Sequence, residues 1–234
     1  DISAQEKTEE ITLMSVNVRT WSPTDTGKKS WFYRAHLIIE DINSVKPDII
    51  GFQEVTFVHY DFLKRSMPDY DSEIAYRDDF ILSEGCPVFY RTDKYKKIDS
   101  GSFWLSETPD IMSKSWGAAH YRICTYIILE DLKTEKQFVV FNAHLDHVSD
   151  EARINGIKVV LDKISEFGDI PAFLMGGGQE KGLRSGTEAV PAIAAFGAAV
   201  KALPDLTKTT QEVLKIKNPR VAIVNIGTEE EKGN

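Results

Sequence analysis

The strongest constraint on this chain is an alternation: short apolar, β-prone runs give way to segments with helical spacing and then to another such run. Ile11 to Val18 is followed by the turn-rich Ser22 to Lys29 and reads as a strand entering a loop. Trp31, Ala35, Ile38, Ile42 and Val45 then recur every three or four residues, with Ser30 placed to cap the start and Pro47 to stop the end. That spacing predicts an amphipathic helix. Asp48 to Gln53 reads as a short buried strand, and Glu54 follows it, a position that suits a catalytic carboxylate as well as an ordinary surface residue. Cys86 to Arg91 is a further strand, and Tyr121 to Glu130 with Lys136 to Ala143 predict a hairpin around the polar turn Asp131 to Glu135. Ser149 or Asp150 is placed to cap a helix whose stripe is Ile157, Leu161, Ile164 and Phe167, ended by Gly168 before a strand from Pro171 to Met175. The order points to α/β layers with an antiparallel part.

Composition narrows the class. With 234 residues, 42% apolar and 27% charged, the chain is long enough to bury a full core and too mixed for disorder, collagen or coiled coil. Apolar runs such as Ile49 to Phe52 and Phe138 to Phe141 fall far short of the ~18 residues that span a bilayer. Cys86 and Cys124 have no Cys-x-x-Cys spacing and read as ordinary buried strand thiols, not a disulfide scaffold or zinc ribbon. A net charge of -8 argues against coating nucleic acid through bulk charge, yet leaves room for an enzyme that grips one phosphate locally.

That charge is unevenly spread. Residues 1–175 hold 23 of the 24 aromatics and all five histidines, and their 29 acids against 20 bases give -9. Residues 176–234 hold one aromatic, Phe196, eight of the fifteen glycines, and seven acids against eight bases. A boundary near Met175 is the simplest account, giving a polar segment over 1–10, a domain over 11–175 and a tail over 176–234 that completes the same domain. Asp1 to Glu10 lacks the basic and apolar regions of a signal peptide, which fits the trimmed start of an exported protein or, otherwise, a cytoplasmic one.

Several short motifs together resemble a known family. Asn17 and Arg19 in Met-Ser-Val-Asn-Val-Arg, Gln53-Glu54 after Pro-Asp-Ile-Ile-Gly-Phe, Glu84 ahead of Val-Phe-Tyr-Arg, and Asn142-Ala-His144-Leu-Asp146-His147 occur in the order seen in the endonuclease/exonuclease/phosphatase superfamily. Gly101 to Pro109, the Arg122-Ile-Cys-Thr segment and Arg153 also fall where one subgroup has them. The resemblance covers residues 11–175. It implies a DNase I-like four-layer α/β sandwich, two packed mixed sheets flanked by helices, and metal-dependent hydrolysis of a phosphate ester in a monomer. Glu54 and Asn17 would supply oxygen ligands to Mg²⁺ or Mn²⁺, a hard cation that offsets charge developing on a phosphoryl oxygen. By the same resemblance His144 donates to the scissile phosphate, and Asn142, two residues away on the same strand face, joins it there. Arg122 and Arg153 would neutralise the phosphate by paired hydrogen bonds. Glu84, Asp146, Tyr121 and His147 carry less weight. The implied partner is a phosphate ester, with nucleic acid, nucleotide, sugar phosphate and lipid head group all represented in the superfamily.

The resemblance fails after Met175. Where the family carries Gly-Asp-x-Asn, whose Asp assists the attacking water, this chain has Gly176-Gly177-Gly178-Gln179, and no histidine follows His147 to match the family's closing Ser-Asp-His. Gly176 to Thr187 is instead similar to a segment of pyridoxal-phosphate cysteine desulfurases, and Asn218 to Asn234 to a fragment of the bacterial phosphate acyltransferase of phospholipid synthesis. The two foreign signatures favour a composite or misassigned sequence. Three function classes follow: a phosphoesterase lacking two catalytic groups, a non-catalytic phosphate- or partner-binding module, and a pyridoxal-phosphate enzyme resting on one segment without its Schiff-base lysine.

Overall fold

A computed structural model describes residues 11–176. Along the chain run β1 (Leu13–Asn17), α1 (Trp31–Val45), β2 (Ile49–Gln53), α2 (Phe57–Ser66), β3 (Tyr70–Glu73), β4 (Val88–Arg91), β5 (Tyr95–Trp104), β6 (Ile123–Asp131), β7 (Gln137–Ala143), α3 (Asp150–Ser165) and β8 (Ala172–Gly176), with a 3₁₀ turn at Gly27–Lys29 before α1. The strands form two four-stranded mixed sheets, ordered β1-β2-β4-β3 and β5-β6-β7-β8. Each sheet holds one parallel pair, β1 with β2 and β7 with β8. Parallel neighbours need a crossover, and α1 and α3 supply it.

Period-two alternation sorts the core into layers. Ile49, Leu13, Val88 and Tyr90 point from the first sheet onto Ile127, Leu129, Phe138, Val140 and Met175 of the second. Their neighbours Met14, Val16, Ile50, Phe52 and Phe89 face the other way and take Trp31, Ala35, Ile38 and Ile42 of α1 and Leu63 of α2. On the far side Phe103, Cys124, Val139 and Phe141 receive Val160 and the half-buried Ile164 and Phe167. The result is helix, sheet, sheet, helix, as the family resemblance implies. β2 is buried on both faces, which is why it reads as a continuous apolar run.

Local chemistry explains most of the boundaries. Ser30 does sit at the N-cap of α1 but makes no side-chain capping bond, and the helix stops at Lys46, left-handed at φ 49, ahead of Pro47. Of the two candidate caps for α3, Ser149 is the one, accepting from the Ala152 N–H. The stripe on that helix is shifted by a residue or so: Ala152, Gly156, Ile157 and Val160 are buried, whereas Leu161, Ile164 and Phe167 are half-buried. Gly156 lets the helix approach Leu105, whose Cβ would lie 3.4 Å from an added methyl. Cys86 and Cys124 are buried free thiols, as expected.

Three elements have no counterpart in the sequence reading. Among the described residues β5 is an edge strand in which Lys96, Lys97, Ile98 and Asp99 are exposed, so the usual alternation is missing. β3 is four residues of mostly polar character. α2 is short, and its start is closed by a capping box with His59 in the place usually held by Glu or Gln: the Thr56 N–H donates to His59 Nδ1 at 3.0 Å. The readings of residues 1–10 and 177–234 lie outside the described residues. Among those described, no helix is long and apolar enough to cross a membrane.

Candidate active site at the strand ends

β1 and β2 run parallel with Asn17 beside Gln53, so both strands end together and Glu54 follows directly. Glu54 is left-handed, with φ 61, a conformation costing a non-glycine residue roughly 1–2 kcal/mol. Such strain persists where the surroundings over-determine it, and here they do. Asn17 Nδ2 donates to Glu54 Oε1 at 2.8 Å and the Thr20 N–H to Oε2 at 2.6 Å, while Asn17 Oδ1 accepts from the Arg19 N–H at 2.8 Å. Burial works to raise the Glu54 pKa, but the charge His144 carries when protonated, these two donors and Arg122 outweigh it, so the carboxylate is held below its ordinary range.

His144 follows β7 in the same way that Glu54 follows β2, and its Nε2 lies 3.9 Å from Glu54 Oε1. Arg122 stands behind it. The guanidinium donates from Nη1 toward His144 Nδ1 at 3.3 Å, from Nη2 to His147 Nδ1 at 2.9 Å and from Nε to Asp146 Oδ2 at 3.2 Å. Arginine can only donate, so both imidazoles accept through Nδ1 and, when neutral, carry the proton on Nε2. Burial, with Arg122 adding to it, pushes His144 down to about 4, so near pH 7 it presents Nε2–H toward Glu54 as a neutral donor.

Asp146 anchors this arrangement. Its buried carboxylate accepts the Val148 and Ser149 N–H groups on Oδ1, each at 2.9 Å, and the Ala119 N–H on Oδ2 at 3.0 Å, besides Arg122. Burial alone would raise its pKa; those donors instead hold it far below the carboxylate range. The remaining wall of the cleft comes from Arg77, Glu84, Gly85, Cys86, Tyr121 and Ile123. Glu84 is raised by burial, against the pull of Arg77, whose Nη1 donates to Glu84 Oε2 at 2.7 Å.

The sequence-derived residues therefore separate into two groups. Glu54, Asn17, His144 and Arg122 come together, with Glu84 and Tyr121 in the same cleft. Asn142 does not join them as an open phosphate contact: it is fully buried between the sheets, Nδ2 donating to Phe52 O and Pro87 O, each at 2.8 Å, and Oδ1 accepting from Gln53 Nε2 at 2.8 Å. Both amide hydrogens are taken, so none is left for a phosphate. Arg153 is also elsewhere, donating to the Asp146 carbonyl at 2.8 Å and pairing with Asp150 at the start of α3. Arg77 was not singled out from the sequence; it lies in a loop with no periodicity to mark it.

Among the described residues no group of three or more His, Cys, Asp or Glu side chains converges as a metal cage. The donor set fits a hard cation all the same, since Mg²⁺ is commonly held by one or two carboxylates with water and substrate completing its shell. Glu54 offers an ionised carboxylate there, and Asn17 Oδ1 retains a second lone pair.

No family model matches the chain. Among solved structures it is similar to an endonuclease/exonuclease/phosphatase from Bacteroides vulgatus, with 34% identity and a TM-score of 0.71 over 79% of this chain and 69% of that one. A mannosyl-6-phosphatase from Bacteroides thetaiotaomicron is 35% identical, with a TM-score of 0.68 over 71% of this chain and 64% of that one. Among curated proteins, a CCR4-Not complex 3'-5'-exoribonuclease subunit Ccr4 from Neosartorya fischeri is 24% identical over 172 residues, 61% of this chain. The match spans only 23% of that relative's length, and 46% of another, an uncharacterized mimivirus protein.

Proposed function

Because the chain belongs to the endonuclease/exonuclease/phosphatase family, we propose that it hydrolyses phosphate esters, with Mg²⁺ or Mn²⁺ held by Glu54 and Asn17. The observation that carries this reading is one cleft in which an ionised Glu54 sits beside a neutral His144 with its Nε2–H turned inward. A divalent cation bound there would offset charge on the phosphoryl oxygens. His144 donates a hydrogen bond to a non-bridging phosphate oxygen, and Arg122 keeps the imidazole in the tautomer that allows it. Asp146 holds Arg122 in place and closes the loop that carries His144.

Among phosphate esters, small phosphomonoesters suit this chain better than a polynucleotide. Its charge of -8 opposes a polyanion, and a relative at 35% identity is a mannosyl-6-phosphatase. A second reading, a phosphate-binding protein without turnover, is favoured by Gly177 standing where the family's pattern has Asp.

Hydrolysis of mannose 6-phosphate with Mg²⁺ or Mn²⁺, beside calorimetric titration of Mn²⁺, separates these readings. Glu54→Gln is expected to weaken Mn²⁺ binding at least tenfold and to abolish any metal-dependent release of phosphate. Unchanged Mn²⁺ affinity in that variant refutes the metal assignment, and phosphate binding without turnover selects the second reading.

A further inference from the structure

We propose that Arg77 is the residue that anchors the substrate's phosphate in this cleft, an assignment that rests on the phosphoesterase reading above. Two guanidiniums line the cleft, Arg77 and Arg122. Arg122 is only 5% exposed and spends a donor on each of Asp146, His144 and His147, so its fork already organises the site. Arg153 bonds the Asp146 carbonyl and Asp150 and is absent from the cleft wall.

Arg77 differs in how few of its donors are taken. Nη1 reaches Glu84, Nε is buried without a hydrogen-bond partner at 3.6 Å from Asp78 Oδ2, and Nη2 has no acceptor among the described residues. Its backbone is nevertheless fixed: the N–H donates to Glu84 O at 3.0 Å, and the carbonyl accepts from Trp104 Nε1 at 2.8 Å. A rigidly mounted guanidinium with an unused Nη2 suits a phosphate, whose oxygens accept two parallel N–H bonds from Nη1 and Nη2 once Nη1 leaves Glu84. Glu84 balances the Arg77 charge and orients its fork through Nη1 while no anion is bound. Glu84 therefore competes with the phosphate for the guanidinium.

Two opposite outcomes follow from that competition. In titrations of the 234-residue chain with inorganic phosphate at saturating Mg²⁺, Arg77→Met should weaken binding about tenfold or more, with Arg77→Lys in between, because a charge-assisted hydrogen bond is lost. Glu84→Gln should tighten it. Arg77→Met leaves Glu84 without its partner, so the double variant Arg77→Met with Glu84→Gln guards against a folding defect and should bind as weakly as the single one. Wild-type affinity in a folded Arg77 variant overturns the assignment while leaving the phosphoesterase reading intact. A wild-type chain that binds no phosphate overturns both.

Discussion

Asn142→Leu tests whether this buried amide ties the two sheets together or serves the substrate. Leucine keeps asparagine's branching but carries bulkier methyl groups, so the variant removes the amide's polarity and adds some volume. Three hydrogen bonds disappear: to Phe52 O, to Pro87 O and from Gln53 Nε2. Gln53 Nε2 keeps Gly51 O and Ser15 Oγ, and Pro87 O keeps the Phe52 N–H, so only part of the set is left bare. At about 0.5–1.5 kcal/mol for each bond, with the higher cost of an unpaired buried group on the remainder, the loss comes to about 3 kcal/mol. Close packing adds to it, since an added Cβ at Gly51 would lie 2.9 Å from Asn142 Oδ1, leaving no slack for a leucine methyl. With a urea m value of roughly 2–3 kcal/mol/M, the unfolding midpoint by far-UV circular dichroism should fall by about 1 M or more, at unchanged slope. A loss below 1 kcal/mol refutes the clamp. Full stability combined with lost phosphate binding would return Asn142 to the substrate, as the family resemblance implies.

Acid should also weaken the fold. His59 is pushed down to about 4 by burial, with Arg34 adding to it, from a usual 6.5, so between these values the unfolded chain takes up a proton that the folded one refuses. Stability is therefore complete above pH 6.5 and falls as the pH drops toward 4, by up to about 1.4 kcal/mol per pH unit from this residue. His59→Gln, which keeps an acceptor for the Thr56 N–H, should flatten that slope between pH 7 and 4.5, and an identical slope would exonerate His59. Gly177→Asp with Gln179→Asn rebuilds the family's Gly-Asp-x-Asn pattern after Gly176. It should raise turnover of mannose 6-phosphate by ~10²-fold or more if a missing base limits the rate, and an unchanged rate would place the limit elsewhere.

The placement of Glu54, Asn17 and His144 at strand ends was legible because short-range pattern and backbone course coincide there. What the side chains do beyond that was less legible. Asn142 and His144 are two apart, yet the strand ends between them, so the first stays in the inter-sheet layer and the second escapes into the cleft. Arg122 faces the cleft as expected but is taken up by Asp146 and two histidines, partners set by the loop after β7 and by no spacing in the sequence. Arg153, expected at the phosphate, is instead taken by the Asp146 carbonyl and Asp150, while Arg77, which no sequence feature marked, lines the cleft. Among the elements, the buried strands β2 and β7 announced themselves by apolar runs, while the edge strand β5, wet along most of its length, carried no such signal.

The stacking of the two sheets has a practical corollary for anyone who trims this chain. Among the described residues β1 and β8 are the outer strands of their respective sheets and pack against one another, with Leu13 and Met175 in the same apolar cluster. In a fragment ending at Gly176 the outer backbone edges of both strands have no partner strand among the described residues and lie side by side, two adjacent templates for another copy to zip onto. Such a fragment should precipitate or form higher oligomers even though every residue of the described core is present, and lysine substitutions at outward positions of β1 and β8 would be the first remedy for its solubility.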